Sequence, residues 1–252
     1  MLKTRIMPTL LFKDFGLIKS VRFDSWRRIG SVMQAVKVYN LREVDELVFL
    51  DISATPNDRP PDFETVDEMA DECFMPLTVG GGIRSVADVR RLLEVGADKV
   101  VINTAAIEYP DLIRLAAQQF GSQCVVVSID SKQQGNGTYE ILTRAGTQAT
   151  GKDPVVWAKE VESLGAGEIL LTSIDRDGTM EGYDIELTQQ VSGAVSIPVI
   201  ASGGAGSYED IVSVLQAGNA SAVAAASIFH FTEQTPLEAK RFLKSRGLNV
   251  RL

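Results

Sequence analysis

A stretch of sequence that occurs twice constrains the fold of this chain more than any other feature. Residues 76–105 (PLTVGGGIRSVADVRRLLEVGADKVVINTA) have the pattern of a strand, a glycine turn, a helix and a second strand. Ser85 followed by Asp88 is typical of a capped helix N-terminus, and Gly96 predicts the end of that helix. The run 99–102 is apolar enough for a strand buried on both faces.

The same pattern returns 122 positions later. Five residues match their counterparts at this one offset: Pro76 and Pro198, Gly81 and Gly203, Ser85 and Ser207, Asp88 and Asp210, Gly96 and Gly218. A repeat of half the chain length predicts two homologous half-barrels, at about 1–122 and 123–252. Two such halves predict one α/β domain over 1–252, a closed (β/α)8 barrel of the TIM type.

Composition excludes several other classes of protein. The chain is 45% hydrophobic and 23% charged, and no apolar run is long enough for a membrane span. A formal net charge of -8 argues against a general nucleic-acid binder. The N-terminal residues lead directly into a predicted strand, so we expect no signal peptide and a cytoplasmic location. With one histidine, His230, and two dispersed cysteines, Cys73 and Cys124, we expect buried free thiols, no metal site and no cofactor.

The rest of the chain supplies the other elements of the barrel. A long loop is predicted after the first strand, as far as Gly30, and a second long loop at 131–153. Gly-Asn-Gly at 135–137 predicts a hairpin turn within the second loop. The other strands are predicted at 4–11, 46–52, 124–129, 168–173 and 222–225, and the other helices at 31–42, 63–73, 110–120, from 154, from 184 and at 236–246.

Two glycine turns follow strands in the two copies of the repeat. In this fold the chemistry lies at the C-terminal ends of the strands, where backbone N–H groups in a glycine turn can approach an anion. Each turn has polar residues after the next strand, and such glycines could alternatively serve only to form tight turns. Because the arrangement is duplicated, we predict a ligand with two phosphates, bound by Gly81, Gly82, Asn103, Thr104 and by Asp177, Gly178, Gly203, Gly204, Ala226, Ser227.

Four charged residues fall at strand beginnings, at the opposite end of the barrel: Arg5, Glu46, Lys99 and Glu168. Two cations and two carboxylates there predict a ring of ion pairs. Residues at this end usually stabilise the fold, so the residue pattern alone favours a structural ring.

Across nearly its full length the chain resembles the cyclase subunit of imidazole glycerol phosphate synthase. The resemblance is carried by DELVFLDI (45–52), VGGGIRSV (79–86), NTAA (103–106), FGSQC (120–124), GAGEILLTSIDRDGT (165–179), IPVIASGGAG (197–206) and ASIFHF (226–231). It implies a heterodimer with a glutaminase subunit of the class I amidotransferase type. It also implies that ammonia enters at the four-charge ring, which would be its gate, and reaches a bis-phosphate substrate at the mouth.

The resemblance also implies a catalytic pair of aspartates, at the ends of the first and fifth barrel strands. Asp130 stands at the second position, but Leu11 stands at the first, and Thr9 replaces the family's usual cysteine. A leucine can neither donate nor accept a proton, so we expect standard cyclase activity to be weak or absent. Lys19, which matches the family's loop lysine, is the other candidate catalytic residue, and Asp14 is an alternative proton donor.

Several N-terminal stretches depart from the cyclase pattern, at 15–23, 30–32, 40–47 and 56–77. They are more similar to a sister branch linked to acetamidino modification of bacterial surface sugars such as lipopolysaccharide. That branch is also paired with a glutaminase, and it supplies ammonia to a separate sugar amidotransferase.

Three hypotheses remain open from the sequence. The first is an ammonia-conducting barrel without standard cyclase chemistry. The second is an active cyclase-lyase of histidine biosynthesis, which joins ammonia to a phosphoribulosyl-aminoimidazole carboxamide substrate. The third is a structural or regulatory barrel whose anion cradles are idle.

Overall fold

The computed structural model describes residues 3–14 and 16–252; Met1, Leu2 and Phe15 lie outside this description. Apolar runs form the strands, and amphipathic segments between them form the helices. In chain order the elements are β1 (Arg5–Lys13), β2 (Gly16–Val21), β3 (Ser25–Gly30), α1 (Val32–Leu41), β4 (Leu47–Asp51), α2 (Phe63–Glu72), β5 (Leu77–Gly80), α3 (Val86–Glu94), β6 (Lys99–Ile102), α4 (Thr104–Glu108), α5 (Asp111–Phe120), a 3-10 turn (Ser122–Cys124), β7 (Val125–Gln133), β8 (Tyr139–Thr143), β9 (Gln148–Ala149), α6 (Pro154–Ser163), β10 (Glu168–Ser173), α7 (Ile185–Ser192), β11 (Val199–Ser202), α8 (Tyr208–Gln216), β12 (Ala222–Ala225), α9 (Ser227–Phe231) and α10 (Pro236–Ser245).

Eight parallel strands close into a barrel. Their order around it is β1, β4, β5, β6, β7, β10, β11 and β12, and β12 pairs with β1 to complete the circle. Helices connect successive strands on the outside, where a large apolar cluster fills the space between the two layers. The barrel interior holds a second cluster, formed by Met7, Val48, Val101, Val126, Leu170, Ile200, Ala222 and Ala224. The predicted (β/α)8 barrel is therefore confirmed.

The segment after β1 is a β-hairpin, whereas the sequence predicted a loop. β2 pairs antiparallel with both β1 and β3. Its turn includes Arg22 and Phe23, which adopt φ values of 53° and 59°, a region that usually favours glycine or asparagine. Because no glycine or proline marks this turn, the residue pattern contains no hairpin signal there. β1 also continues two residues further than predicted, to Lys13, where it pairs with β2.

A second hairpin follows β7, the first strand of the second half-barrel. β7 extends to Gln133 and pairs antiparallel with β8. The turn is closed by the Gln134 N–H, which donates to Thr138 O at 2.7 Å, and Gly137 has a positive φ of 85°. The Gly-Asn-Gly signal therefore predicted this turn correctly. Each half-barrel thus carries a hairpin after its first strand.

The two copies of the repeat correspond residue by residue as far as the end of the helix. α3 and α8 begin with equivalent capping boxes, formed by Ser85 with Asp88 and by Ser207 with Asp210. After the helices the second copy has one extra residue, so the match of Gly96 with Gly218 is not a conformational one. Gly96 has a φ of 104°, but the residue with positive φ in the second copy is Asn219, at 56°.

Both cysteines are free, as predicted, but they are half-buried and not buried. Each lies at the end of a helix, where the chain reaches the surface. Among the described residues, no helix combines the length and apolar content required to cross a membrane. The part of the chain that the structure describes also contains no cluster of three or more His, Cys, Asp or Glu side chains placed to hold a metal ion.

Candidate functional site

A cavity of about 620 Å³ opens at the C-terminal ends of the barrel strands. It is lined by residues from both glycine turns, from both hairpins and from the strand ends. All twelve residues that the sequence predicted for catalysis and phosphate binding line it, and so does Leu11: Lys19, Gly81, Gly82, Asn103, Thr104, Asp130, Asp177, Gly178, Gly203, Gly204, Ala226 and Ser227. The barrel topology thus gathers residues that are up to about 200 positions apart in the chain.

The first glycine turn, Gly81 and Gly82, packs closely against the backbone of neighbouring segments. Both residues have positive φ, 111° and 75°, and a Cβ at Gly81 would collide with the carbonyl oxygen of Asp51. The Gly82 N–H donates to Thr55 Oγ1 at 3.3 Å, and Thr104 Oγ1 accepts from the Arg144 N–H at 3.0 Å. The polar groups of this cradle therefore already have protein partners.

The second glycine turn differs in this respect. Gly203 and Gly204 also have positive φ, at 91° and 112°, and lead into the N-terminus of α8. The hydroxyl of Ser227 is buried in the cavity wall and has no hydrogen-bond partner among the described residues. A buried hydroxyl without a partner costs free energy, so a ligand atom that bonded it would be stabilised. This observation supports an anion site at the second turn.

Asp130 lies on β7, where that strand begins to pair with β8, and has almost no solvent exposure. The Asn103 amide donates to its Oδ2 and the Ser128 hydroxyl to its Oδ1, each at 3.1 Å. Burial raises the pKa of Asp130 to about 7, and the nearby charge of Asp177 acts in the same direction, against the hydrogen bonds from Ser128, Thr172 and Asn103. A carboxyl with a pKa near neutrality can both accept and donate a proton at physiological pH.

Lys19 was expected in a loop, but it lies on β2, and its ammonium group is buried. It forms an ion pair with Asp177, whose Oδ1 is 3.4 Å from Lys19 Nζ, and the Ser20 hydroxyl donates to the same carboxylate. Asp177 therefore holds β2 against the loop after β10. Gly178, the next residue, has a φ of 73°, and a Cβ there would collide with the carbonyl oxygen of Ser20. The first hairpin is thus packed across one side of the mouth.

Leu11 stands where the resemblance implies a proton-transfer group, and its position does face the mouth. It is half-buried, lines the cavity and is the register partner of Leu50 on β4 and of Ile18 on β2. Asp14, the alternative donor, is exposed and belongs to a different cavity, beside the N-termini of α1 and α2. Asp14 is therefore poorly placed to replace an aspartate at position 11.

The sequence did not predict all of the residues that hydrogen-bond to Asp130, nor the hairpin residues that line the cavity. Ser128 and Thr172 follow the inward alternation of β7 and β10, so the period-2 pattern could have identified them. Arg144 could not have been found, because its approach to Thr104 depends on how the second hairpin packs. Asn103 was predicted for phosphate binding, and the structure adds its contact with Asp130.

The four charged residues predicted at strand beginnings form a closed ring at the opposite end of the barrel. Arg5 contacts Glu46 and Glu168, each at 2.8 Å, and Lys99 contacts the same two carboxylates at 2.9 and 3.2 Å. Thr78 also donates to Glu46. Burial lowers the pKa of Arg5, but the charges of Glu168 and Glu46 outweigh it, so the pKa is raised overall. Each cation thus bridges both carboxylates, and the ring closes the base of the apolar barrel interior.

The family of this chain follows from its sequence as a whole. A model of the family described as histidine biosynthesis protein matches residues 5–235. The chain belongs to this family. The matched region includes the four-charge ring, both glycine turns and the strand ends that carry Leu11 and Asp130. The (β/α)8 barrel and its mouth are thus features of a histidine biosynthesis family protein.

Proposed function

We propose that this member of the histidine biosynthesis family is a diverged cyclase-type barrel that receives ammonia from a glutaminase subunit. The ammonia would be supplied to a separate sugar amidotransferase and would serve amidation, such as the acetamidino modification of a surface sugar. The observation that carries the proposal is the pairing of an intact four-charge ring with Leu11 at the mouth. One end of the barrel retains the features of an ammonia entrance, while the other lacks one of two proton-transfer groups.

The ring supports the ammonia part of the proposal. Buried ion pairs commonly stabilise a fold no better than apolar side chains of similar size would, so their presence asks for another explanation. Here two cations and two carboxylates cap a barrel interior lined by Met7, Val48, Leu170 and other apolar side chains. Such an interior favours neutral ammonia over ammonium, because an unpaired charge is costly to desolvate.

A glutaminase subunit is the proposed partner, and binding to it is the first test. The chain would be co-expressed with a class I glutaminase subunit from the same organism, and both association and glutamine hydrolysis would be measured. We expect a heterodimer and faster hydrolysis, and Lys99→Met should alter the stimulation while exposed Lys37→Met should not. If neither association nor stimulation is found, the ammonia function is refuted.

An active cyclase-lyase of histidine biosynthesis is the alternative function. It is favoured by the Asp130 pKa of about 7 and by the buried Lys19 in the same cavity. An assay with ammonium salt and the phosphoribulosyl-aminoimidazole carboxamide substrate separates the two proposals, because it does not require the partner. Neighbouring genes offer a further distinction, since histidine genes favour the cyclase and surface-sugar amidotransferase genes favour the diverged function.

Both proposals place phosphate groups of the ligand at the two glycine turns. The unpartnered hydroxyl of Ser227 supports the second of these sites. Crystals soaked in phosphate should show one anion beside Gly82 and Thr104 and another beside Gly204 and Ser227. Two empty turns would favour the third hypothesis, a barrel whose cradles are idle.

A further inference from the structure

The mouth of the barrel has one apolar side and one hydrogen-bonding side. Leu11 and Leu50 are register partners at the ends of β1 and β4, and both are half-buried and line the cavity. The corresponding register partners at the ends of β7 and β10 are Asp130 and Thr172. The two sides therefore lie at the same level of the barrel but offer a ligand opposite chemistry.

The glycine turns separate these two sides. They follow β5 and β11, which lie on opposite sides of the circle of strands. Between them, one arc contains β12, β1 and β4, and the other contains β6, β7 and β10. A ligand that spans the two turns would consequently turn one edge toward Leu11 and Leu50 and the other toward Asp130 and Thr172.

Both register partners of Leu11 in the described part of the chain are apolar, Leu50 on β4 and Ile18 on β2. Ile18, the neighbour of Leu11 on β2, is buried and lines the same wall. Thr9 lies below Leu11 on the same strand face and has a buried hydroxyl without a partner among the described residues, so the apolar wall is confined to the level of the two leucines. Trp26, 52% exposed, stands above this wall, with Lys13 Nζ 4.3 Å from its ring centroid.

The polar group nearest this wall along β4 is already occupied. The Asp51 carboxylate accepts hydrogen bonds from the Ser53 and Ala54 N–H groups and from the Ser53 hydroxyl, and it contacts Arg59. A ligand hydroxyl placed against Leu11 and Leu50 would thus lose its water without gaining a partner. A polar group desolvated in this way weakens binding by about 5- to 100-fold.

We propose that the mouth takes a ligand with two anionic ends whose middle is deoxygenated along one edge. Methylene or methyl groups face β1 and β4, and hydrogen-bonding groups face Asp130 and Thr172. The proposal rests on the proposed function in one respect, since it requires anion binding at the two glycine turns. It goes beyond that function by assigning the chemistry of the ligand between its charged ends.

The test uses calorimetric titration with three probes: inorganic phosphate, hexane-1,6-diol bisphosphate and mannitol 1,6-bisphosphate. The two bisphosphates share a six-carbon chain and differ in hydroxyl groups along both edges. Because the hydroxyls of mannitol bisphosphate are favoured at one edge and disfavoured at the other, the informative quantity is how each variant changes the ratio of the two affinities. Leu11→Asn and, separately, Leu50→Thr should each shift the ratio of the two affinities toward mannitol bisphosphate by about 10-fold.

Leu115→Asn, at a half-exposed leucine on α5, is the matched control and should leave the ratio unchanged. If phosphate binds but the ratio is the same in the unaltered chain and in both mouth variants, this inference is overturned while the anion sites stand. If inorganic phosphate does not bind at all, the proposed function and the inference both fail. Two single variants are used so that misfolding of one leaves the other informative.

Discussion

The two half-barrels share a backbone plan but differ at the end of their first strands. β1 and β7 are each followed by a hairpin, and each pairs with the next barrel strand in an equivalent register. At equivalent positions the first half has Thr9 and Leu11, and the second half has Ser128 and Asp130. In the second half the Ser128 hydroxyl donates to Asp130, whereas Thr9 Oγ1 has no partner among the described residues.

The second half therefore has a hydroxyl paired with a carboxylate at this level, whereas the first half has a hydroxyl below an apolar side chain. At the other end of the barrel, the first half supplies more of the charged ring than the second half does. Three ring residues, Arg5, Glu46 and Lys99, come from the first half, and only Glu168 comes from the second.

The largest effect is expected in the ring, where Glu46 and Glu168 are the equivalent carboxylates. Glu46 is more deeply buried and also accepts from Thr78. Glu46→Gln should therefore lower the free energy of unfolding by about 3–5 kcal/mol, because it removes the charge of a buried carboxylate that is paired with two half-buried cations. Glu168→Gln is the matched control and should cost less. Urea denaturation measures both, and equal losses would contradict the asymmetry.

At the mouth, ammonia-dependent cyclisation should proceed at least about 100-fold more slowly than in a family member with both carboxylates. Leu11→Asp should raise the rate, while Leu11→Asn, which cannot transfer the proton, should not. Rates would be measured with ammonium salt and the family substrate. Normal turnover by the unaltered chain would instead show that Lys19 or water fills the missing role, and would support the histidine-pathway alternative.

Because Asp130 is buried and can ionise, we expect it to make the stability of the fold depend on pH. Its counterpart Leu11 cannot have this effect. Because its folded pKa, about 7, exceeds the value of an exposed aspartate, 3.8, the folded state binds more protons between these pH values. Stability contributed by this residue should therefore fall as pH rises from about 4 to 7. Asp130→Asn should gain up to about 4 kcal/mol relative to the unaltered chain at pH 8, and nothing at pH 4.

Urea denaturation at the two pH values checks this prediction. Asp177→Asn is a useful comparison, because it removes a nearby negative charge that also raises the Asp130 pKa. A gain that is equal at both pH values would show that the charge of Asp130 is not its source.

The smallest effect is expected at the two hydroxyls below these positions. Thr9→Val removes a buried hydroxyl that has no partner and should raise the free energy of unfolding by about 1 kcal/mol. Ser128→Ala removes a donor to Asp130 and should lower it by a similar amount. Thermal unfolding of the two variants compares the halves, because their changes in stability are expected to have opposite signs. Losses in both would show that the Thr9 hydroxyl has a stabilising role.

Much of the fold could be predicted because its signals are local. Both capping boxes, the Gly-Asn-Gly turn and the strands at Lys99–Ile102, Glu168–Ser173 and Ala222–Ala225 depend on short-range patterns. The first hairpin was missed because its turn uses Arg22 and Phe23 in a conformation that their side chains disfavour. That conformation is stabilised by distant contacts, including the Arg22 N–H bond to Asp177 O at 2.8 Å.

The sequence by itself determined the (β/α)8 barrel, the identity of the ring residues and the presence of a leucine at position 11, because these depend on residue type and on position along a strand. Only the tertiary structure decided how those residues meet. It showed that Lys19 is tied to Asp177, that Thr9 is left without the partner that Ser128 has, and that the mouth has an apolar and a polar side. These relations join residues far apart in the chain, and they arise from strand register and burial, which depend on the whole barrel.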